Sequence, residues 1–494
     1  MSNIPVLIVL LPLSAALLCM ALSLIHWRLG RDVVIASVAA SLVLSVKQLK
    51  DVIDHGTVSY VFGKYKIPYG IEFRIDAISA VIIVMILIIG FITLLFSMSF
   101  EVRDGGKVKN SGAYTMLALL IVGMVGMTST GDMFNLYVFL EITSLSGYCL
   151  IALGGSRGIV AAFRYMLVGT IAATFYLLGV GILYSQTGTL NMEDMHYMLS
   201  RGVSMEAQAV ALVFIIAAFG VKMALFPFNG WQPSAYAHAN AGSRPLIAGV
   251  MGKIPAYAMF RYIFCIYGSE FRFMDEFLLI VGIFSCCGII YGSVRAMAQT
   301  DLRKMLAYSS VAQIGYITLD FATGSPVGIV GGFLHMLAHA FMKSGLFFGT
   351  GAIRQKYGSM KMEDLGYIYK KMPLTSGLMV VAALSMVGIP PLGGFFSKWY
   401  IGMGAAGSHH LVYLFVLVIS SLLNAVYFFK LFEKMFMARD KELPDRIPSE
   451  VAQEVPWNMV LAIVVCFLAI ILIGVFNVPI VNVLMPAVME VGSL

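Results

Sequence analysis

The sequence predicts an all-α polytopic membrane protein with about 14 transmembrane helices, two inverted five-helix repeats, and broken seventh and twelfth helices. Three observations carry that reading. Hydrophobic residues make up 60% of the 494 residues and charged residues only 12%, and no long polar stretch offers a start for a second domain. Apolar runs of roughly 20 residues, enough to cross a hydrocarbon core, recur from end to end. Ionisable side chains lie deep inside several of those runs, first among them Lys222 within Ala209 to Phe228. The whole chain, 1–494, reads as a single transmembrane domain.

Helices are expected near 4–25, 33–49, 77–99, 113–130, 133–152, 161–185, 209–228, 242–264, 276–296, 303–322, 326–350, 374–404, 411–433 and 457–486. The first lacks a basic leader and a small-residue cleavage site, so it reads as a retained helix. The seventh is interrupted at Phe226-Pro-Phe-Asn-Gly230, where Pro227 is expected to end the helix just beyond Lys222. The twelfth is interrupted at Gly388-Ile-Pro-Pro-Leu-Gly-Gly394. The lysines beside the two breaks, Lys222 and Lys398, stand 176 residues apart (398 − 222) with four helices between the broken ones. The breaks therefore take matching places in two five-helix units, about 113–264 and 276–433. Units offset by five helices enter from opposite sides of the membrane, as inverted repeats do. Unwound backbone at that depth requires surrounding protein or a hydrated cavity.

The formal net charge of +7 raises nucleic-acid binding, but the basic residues are spread over loops and build no basic face. One set of alternate loops holds Arg28, Arg31, Arg103, Lys109, Arg157, Arg244, Arg295, Lys356, Lys370, Arg439, Lys441 and Arg446. The other set is poor in cations except the loop after the second helix, with Lys64, Lys66 and Arg74. The positive-inside rule then places both termini outside a cell (plasma) membrane. The six cysteines fall in or near apolar segments without CxxC spacing and read as small core residues.

A cation at the centre of a membrane helix costs at least about 2.5–3.5 kcal/mol, so each one requires a partner or a task. Glu141 lies about 13 Å along its helix from Asp132, near the midplane. Desolvation disfavours the charged form of either Glu141 or Lys222 alone, and each restores the charge of the other, so the two would form a switch that separation discharges. A static ion pair between two helices is the alternative. Lys253, in Met251-Gly-Lys-Ile-Pro255, is too deep to reach an interface. His335, His339 and Lys343 recur every four residues on one helical face, as a relay through water would require. A zinc site there would lack the HExxH glutamate or a cysteine and would face a cationic lysine. Lys398 mirrors Lys222 across the second break. Asp76 and Asp320 are expected close to the outer surface as ordinary boundary residues, with a gate as the alternative for each.

With those residues in view, the chain resembles the antiporter-like membrane subunits shared by respiratory complex I, membrane-bound hydrogenases and Mrp-type cation/proton antiporters. The resemblance runs from about Phe73 to Phe436 and rests on five stretches. They are Thr130 through Glu141, Lys222 through Trp231, Ala307 through Tyr316, His335 through Lys343, and Gly388 through Lys398. It implies Glu141 and Lys222 as the pair at one half-channel, Lys253 and His335/His339 as the central connection, and Lys398 at the opposite exit. The short form resembles the Mrp D-type and hydrogenase versions. Two departures are Ala237-His-Ala-Asn-Ala-Gly-Ser-Arg-Pro245, where relatives carry a Pro- and Ser-rich turn, and the proline that closely follows Lys253. The expected function is proton translocation among other membrane subunits, coupled to cation exchange such as Na⁺/H⁺ or to redox chemistry in a partner. No cofactor or metal is expected in this chain, and no nucleic acid. The competing readings are a haem-carrying electron carrier using His335 and His339, and a scaffold that does not transport.

Overall fold

The computed structural model describes residues 3–101, 107–268, 271–366, 368–437 and 454–492; Arg103, Arg439, Lys441 and Arg446 lie outside them. Apolar runs become helices and the polar residues at their edges become caps. The chain opens with α1 (Ile4–Ile25) and α2 (Trp27–His55), followed by an antiparallel hairpin, β1 (Val58–Val61) and β2 (Glu72–Ile75). Its register pairs Val58 with Ile75 and Val61 with Glu72. This hairpin occupies the loop whose cations stood against the orientation rule, and Arg74 is held there by Glu193.

Next come α3 (Ala77–Ser97), α4 (Lys107–Ser129), α5 (Met133–Ala152) and α6 (Ser156–Thr187). Asp76 caps α3 reciprocally: its carboxylate accepts the Ser79 N–H, and Ser79 Oγ accepts the Asp76 N–H, both at 2.8 Å. Asp132 caps α5 by accepting the Asn135 N–H at 2.7 Å. After the short α7 (Met192–Leu199), α8 (Met205–Met223) and α9 (Gln232–His238) are two halves of one interrupted span. A second interrupted run joins α10 (Arg244–Leu246), a π-helical segment Ile247–Met251, α11 (Ile254–Phe260) and a π-helical segment Arg261–Tyr267. Pro255, at the start of α11, belongs where a missing N–H does no harm.

The remainder is α12 (Met274–Met297), α13 (Leu302–Ala322), α14 (Pro326–Tyr357), α15 (Ile368–Lys371), α16 (Pro373–Val387), α17 (Gly393–Gly407), α18 (Leu411–Phe436), α19 (Trp457–Val475) and α20 (Asn477–Gly492). The expected single helix over 457–486 is divided at Phe476. Among the described residues, ten helices are long and apolar enough to cross a membrane. The protein is thus a multi-pass helical membrane protein. α14 is its centre, buried over most of its length and packed on α13, α16, α17, α19, α20 and the first π-helical segment. α6 and α18 present broad apolar faces outward.

Three expectations change. Only Cys19 and Cys466 are buried, while Cys149 and Cys287 are exposed, because a small apolar side chain is as well placed against lipid as in a core. Arg244, expected in a loop, is fully buried, with Nη2 donating to the Ala239 carbonyl at 2.6 Å. Asp320 is also fully buried, although it lies near the end of α13.

Candidate functional site

The seven ionisable residues singled out by depth stand on five supports, with His335, His339 and Lys343 sharing α14. Lys222 sits in the last turn of α8 and is 3% exposed; Glu141, on α5, is 28% exposed. The ammonium donates to Glu141 Oε1 at 3.3 Å and to Ser144 Oγ at 2.6 Å. The helix ends one residue later, at Met223, because Ala224 takes a left-handed conformation at φ 62°. Pro227 therefore lies inside the break and does not begin it. An ammonium in the last turn of a helix faces the negative end of the helix dipole, which adds to the attraction of the carboxylate.

The break adjoins Lys253. A Cβ on Gly252 would stand 2.8 Å from Tyr236 Oη, 3.5 Å from Gln232 Nε2 and 3.8 Å from the Met223 carbonyl, so the two interrupted runs pack closely there. Lys253 is buried in the turn between the π-helical segment and α11, and its ammonium donates to the Gly249 carbonyl. α10, which leads into that segment, is tied to α14 where Ser344 Oγ donates to the Pro245 carbonyl at 3.1 Å. Ser344 follows Lys343, whose ammonium donates to Ser309 Oγ at 2.6 Å and to the Leu306 carbonyl at 2.9 Å.

His339 and His335 then stack with ring centroids 5.8 Å apart and an interplanar angle of 5°. His335 shares hydrogen bonds with Gln313 Oε1 at 2.8 Å and Ser397 Oγ at 2.9 Å. His339 is fully buried with neither ring nitrogen partnered among the described residues. Lys398 follows Ser397 on α17. Its ammonium donates to the Met386 and Val387 carbonyls at 3.0 Å each, to Ser421 Oγ at 3.2 Å, and lies 5.2 Å from the Tyr316 ring centre. The second break thus repeats the first in its electrostatics. Lys398 comes from beyond the break, yet its charge rests on the C-terminal carbonyls of the half-helix before it.

Sequence reasoning missed the polar residues that hold these cations. Ser309, Gln313 and Tyr316 follow at three- and four-residue intervals on one face of α13, the same signal that identified the stripe on α14. It also missed Arg261, whose guanidinium pairs with Asp76, so that Asp76 is both a cap and an ion-pair partner. Both ring nitrogens of His335 are engaged, by Ser397 and Gln313. Among the described residues no three His, Cys, Asp or Glu side chains converge to hold a metal.

Comparison with known proteins follows the same contours. Residues 130–424 match the family described as NADH:quinone oxidoreductase/Mrp antiporter, TM. The chain is 41% identical over 488 residues to NADH-quinone oxidoreductase subunit N of Desulforudis audaxviator, covering 96% of each chain. It is 27% identical over 445 residues to the D-type subunit of a Na⁺/H⁺ antiporter of Bacillus subtilis, covering 90% of this chain and 89% of that one. Among solved structures it is similar to a chain of the archaeal membrane-bound sulfane sulfur reductase, a respiratory membrane complex, with a TM-score of 0.90, 27% identity and coverage of 99% and 98%. A chain of the Mrp complex from a Dietzia species shares the fold, with a TM-score of 0.89 at 23% identity.

Proposed function

The chain belongs to the NADH:quinone oxidoreductase/Mrp antiporter transmembrane family, and from that membership and the buried row we propose that it carries protons as the antiporter-like subunit of a multi-subunit membrane complex. The observation that carries the reading is the continuity from Glu141 and Lys222 through Lys253, Lys343, His339 and His335 to Lys398. Each cation is held by neutral oxygens or by a single carboxylate, which suits groups that gain and lose a proton. Water between them would complete the hydrogen-bonded path. The proton movement would be coupled either to Na⁺/H⁺ exchange or to redox chemistry in a partner subunit.

Three features support the two-repeat, 14-helix arrangement. α6 and α14, the third helices of the two units, are both 32 residues long. α5 and α13, the second helices, are both N-capped by an aspartate, Asp132 and Asp301. Each of those aspartates also forms an antiparallel bridge, to Asn191 and Lys361 respectively. In this reading the hairpin and both termini face outside, and the ends of α12 and α14, bearing Arg295 and Lys356, face the cytoplasm.

The test is His339→Gln, which keeps hydrogen bonding but does not titrate near neutral pH. Proton transport by the intact complex in sealed vesicles should slow severely. Because the outer groups would stand about 12 Å apart along α14, water bridging should leave a residual rate. Ala338→Gly, on a different face, should slow it less. A His339→Gln complex with wild-type rates at every pH would remove protonation of His339 from the mechanism.

A further inference from the structure

The polar stripe of α13 extends beyond its last partner on α14. Ser309, Gln313, Tyr316 and Asp320 follow at intervals of four, three and four residues on one helical face. The first three meet the row: Ser309 receives Lys343, and Gln313 and Tyr316 lie against His335. Asp320 is fully buried, and neither carboxylate oxygen has a hydrogen-bond partner among the described residues. Its side chain lies against Gly332 of α14, where a Cβ would stand 2.9 Å from Asp320 Cβ and 3.0 Å from Oδ2. Gly332 is three residues before His335, about 4.5 Å nearer the hairpin side of the bundle. The adjoining rings of Phe321 and Phe333 pack together at 5.6 Å.

Packing gives no reason for a carboxyl group here. An ionised carboxylate without cation or donor is strongly disfavoured in such surroundings. Its place in the last turn of α13 also sets it against the negative end of the helix dipole. A neutral acid that can release its proton meets neither objection.

We propose that Asp320 is a proton-carrying carboxyl group that continues the row from His335 toward the hairpin side of the membrane. The proposal rests on the relay reading above. The step is proton transfer alone: the neutral acid of Asp320 releases its proton outward, and the transient carboxylate takes the next proton from the His335 region.

The experiment uses Asp320→Asn in the intact complex, a near-isosteric change that cannot titrate. We expect normal assembly, a loss of proton transport of about tenfold or more, and loss from the infrared difference spectrum of a carboxylic-acid carbonyl band that shifts in heavy water. His339→Gln is measured in the same vesicles. A wild-type rate for Asp320→Asn beside a slowed His339→Gln overturns the role of Asp320 and leaves the relay standing. Wild-type rates in both overturn the relay and this inference with it. If Asp320→Asn does not assemble, Asp320→Ala, which removes the polar group altogether, is read in the same way. If neither assembles, isotope-labelled aspartate in the wild type decides: an aspartic-acid band supports the proposal and its absence overturns it.

Discussion

Lys222 shows how much of this molecule is decided at single residues. Its charge is shared between a partly exposed carboxylate and a buried hydroxyl, with the end of α8 beneath it. Removing one partner of a buried ion pair commonly costs about 3–5 kcal/mol, unless the group left behind can become neutral. Glu141→Gln leaves Lys222 with Ser144 and an amide oxygen as acceptors, so assembly should survive while proton transport falls by about tenfold or more. Glu141→Asp keeps the carboxylate one methylene further away and should retain part of the rate. Both are read as initial rates in vesicles at matched protein level, and equal rates for Gln and wild type would reduce the pair to a structural bond. At this scale the sequence was legible wherever charge lay deep in an apolar run. It placed Asp320 at the outer boundary, because depth along a helix does not say whether an end residue faces the bundle or its edge. Ser309, Gln313 and Tyr316 were readable by spacing, but neutral polar residues carry too weak a penalty to stand out singly.

The elements that position these charges are interrupted helices, and their interruptions follow from local backbone chemistry. Both half-helices end in a left-handed residue, Ala224 at φ 62° and Gly388 at φ 98°. Alanine bears that conformation at a cost of about 1–2 kcal/mol; glycine does not. A Cβ at Gly388 would also stand 3.2 Å from Lys398 Cδ. Gly388→Ala should therefore lower stability by at least about 1–2 kcal/mol and slow transport by displacing Lys398. Ala224→Gly should be neutral or stabilising. Thermal melting of the purified complex together with vesicle transport checks the contrast, and a Gly388→Ala complex equal to wild type in both would contradict it. Proline and glycine made the two breaks legible in the sequence, but the first begins at Ala224, three residues before the proline that announced it. The hairpin after α2 and the π-helical segments around Lys253 were not legible. Short strands and shifted hydrogen bonding leave little mark on a periodicity read over whole turns.

Across the whole molecule, the breaks, the π-helical segment before Lys253 and the polar stripes of α13 and α14 supply the partners of the buried cations. Composition was enough to place the chain among multi-pass helical membrane proteins, because apolar length is the one requirement every span shares. It could not separate lipid-facing from core-facing positions, which is why the cysteines and Arg244 were misplaced. Under the proposed function the path is useful only if its charges are mobile. Lys222→Ala tests that most directly. The variant removes one buried cation and leaves Glu141 free to take up a proton and become neutral, so the fold has no unpaired charge to expel it. Measured in sealed vesicles with verified amounts of assembled complex, it should show normal assembly and no coupled proton transport. Proton-coupled transport at the wild-type rate, at equal protein level, would contradict the account.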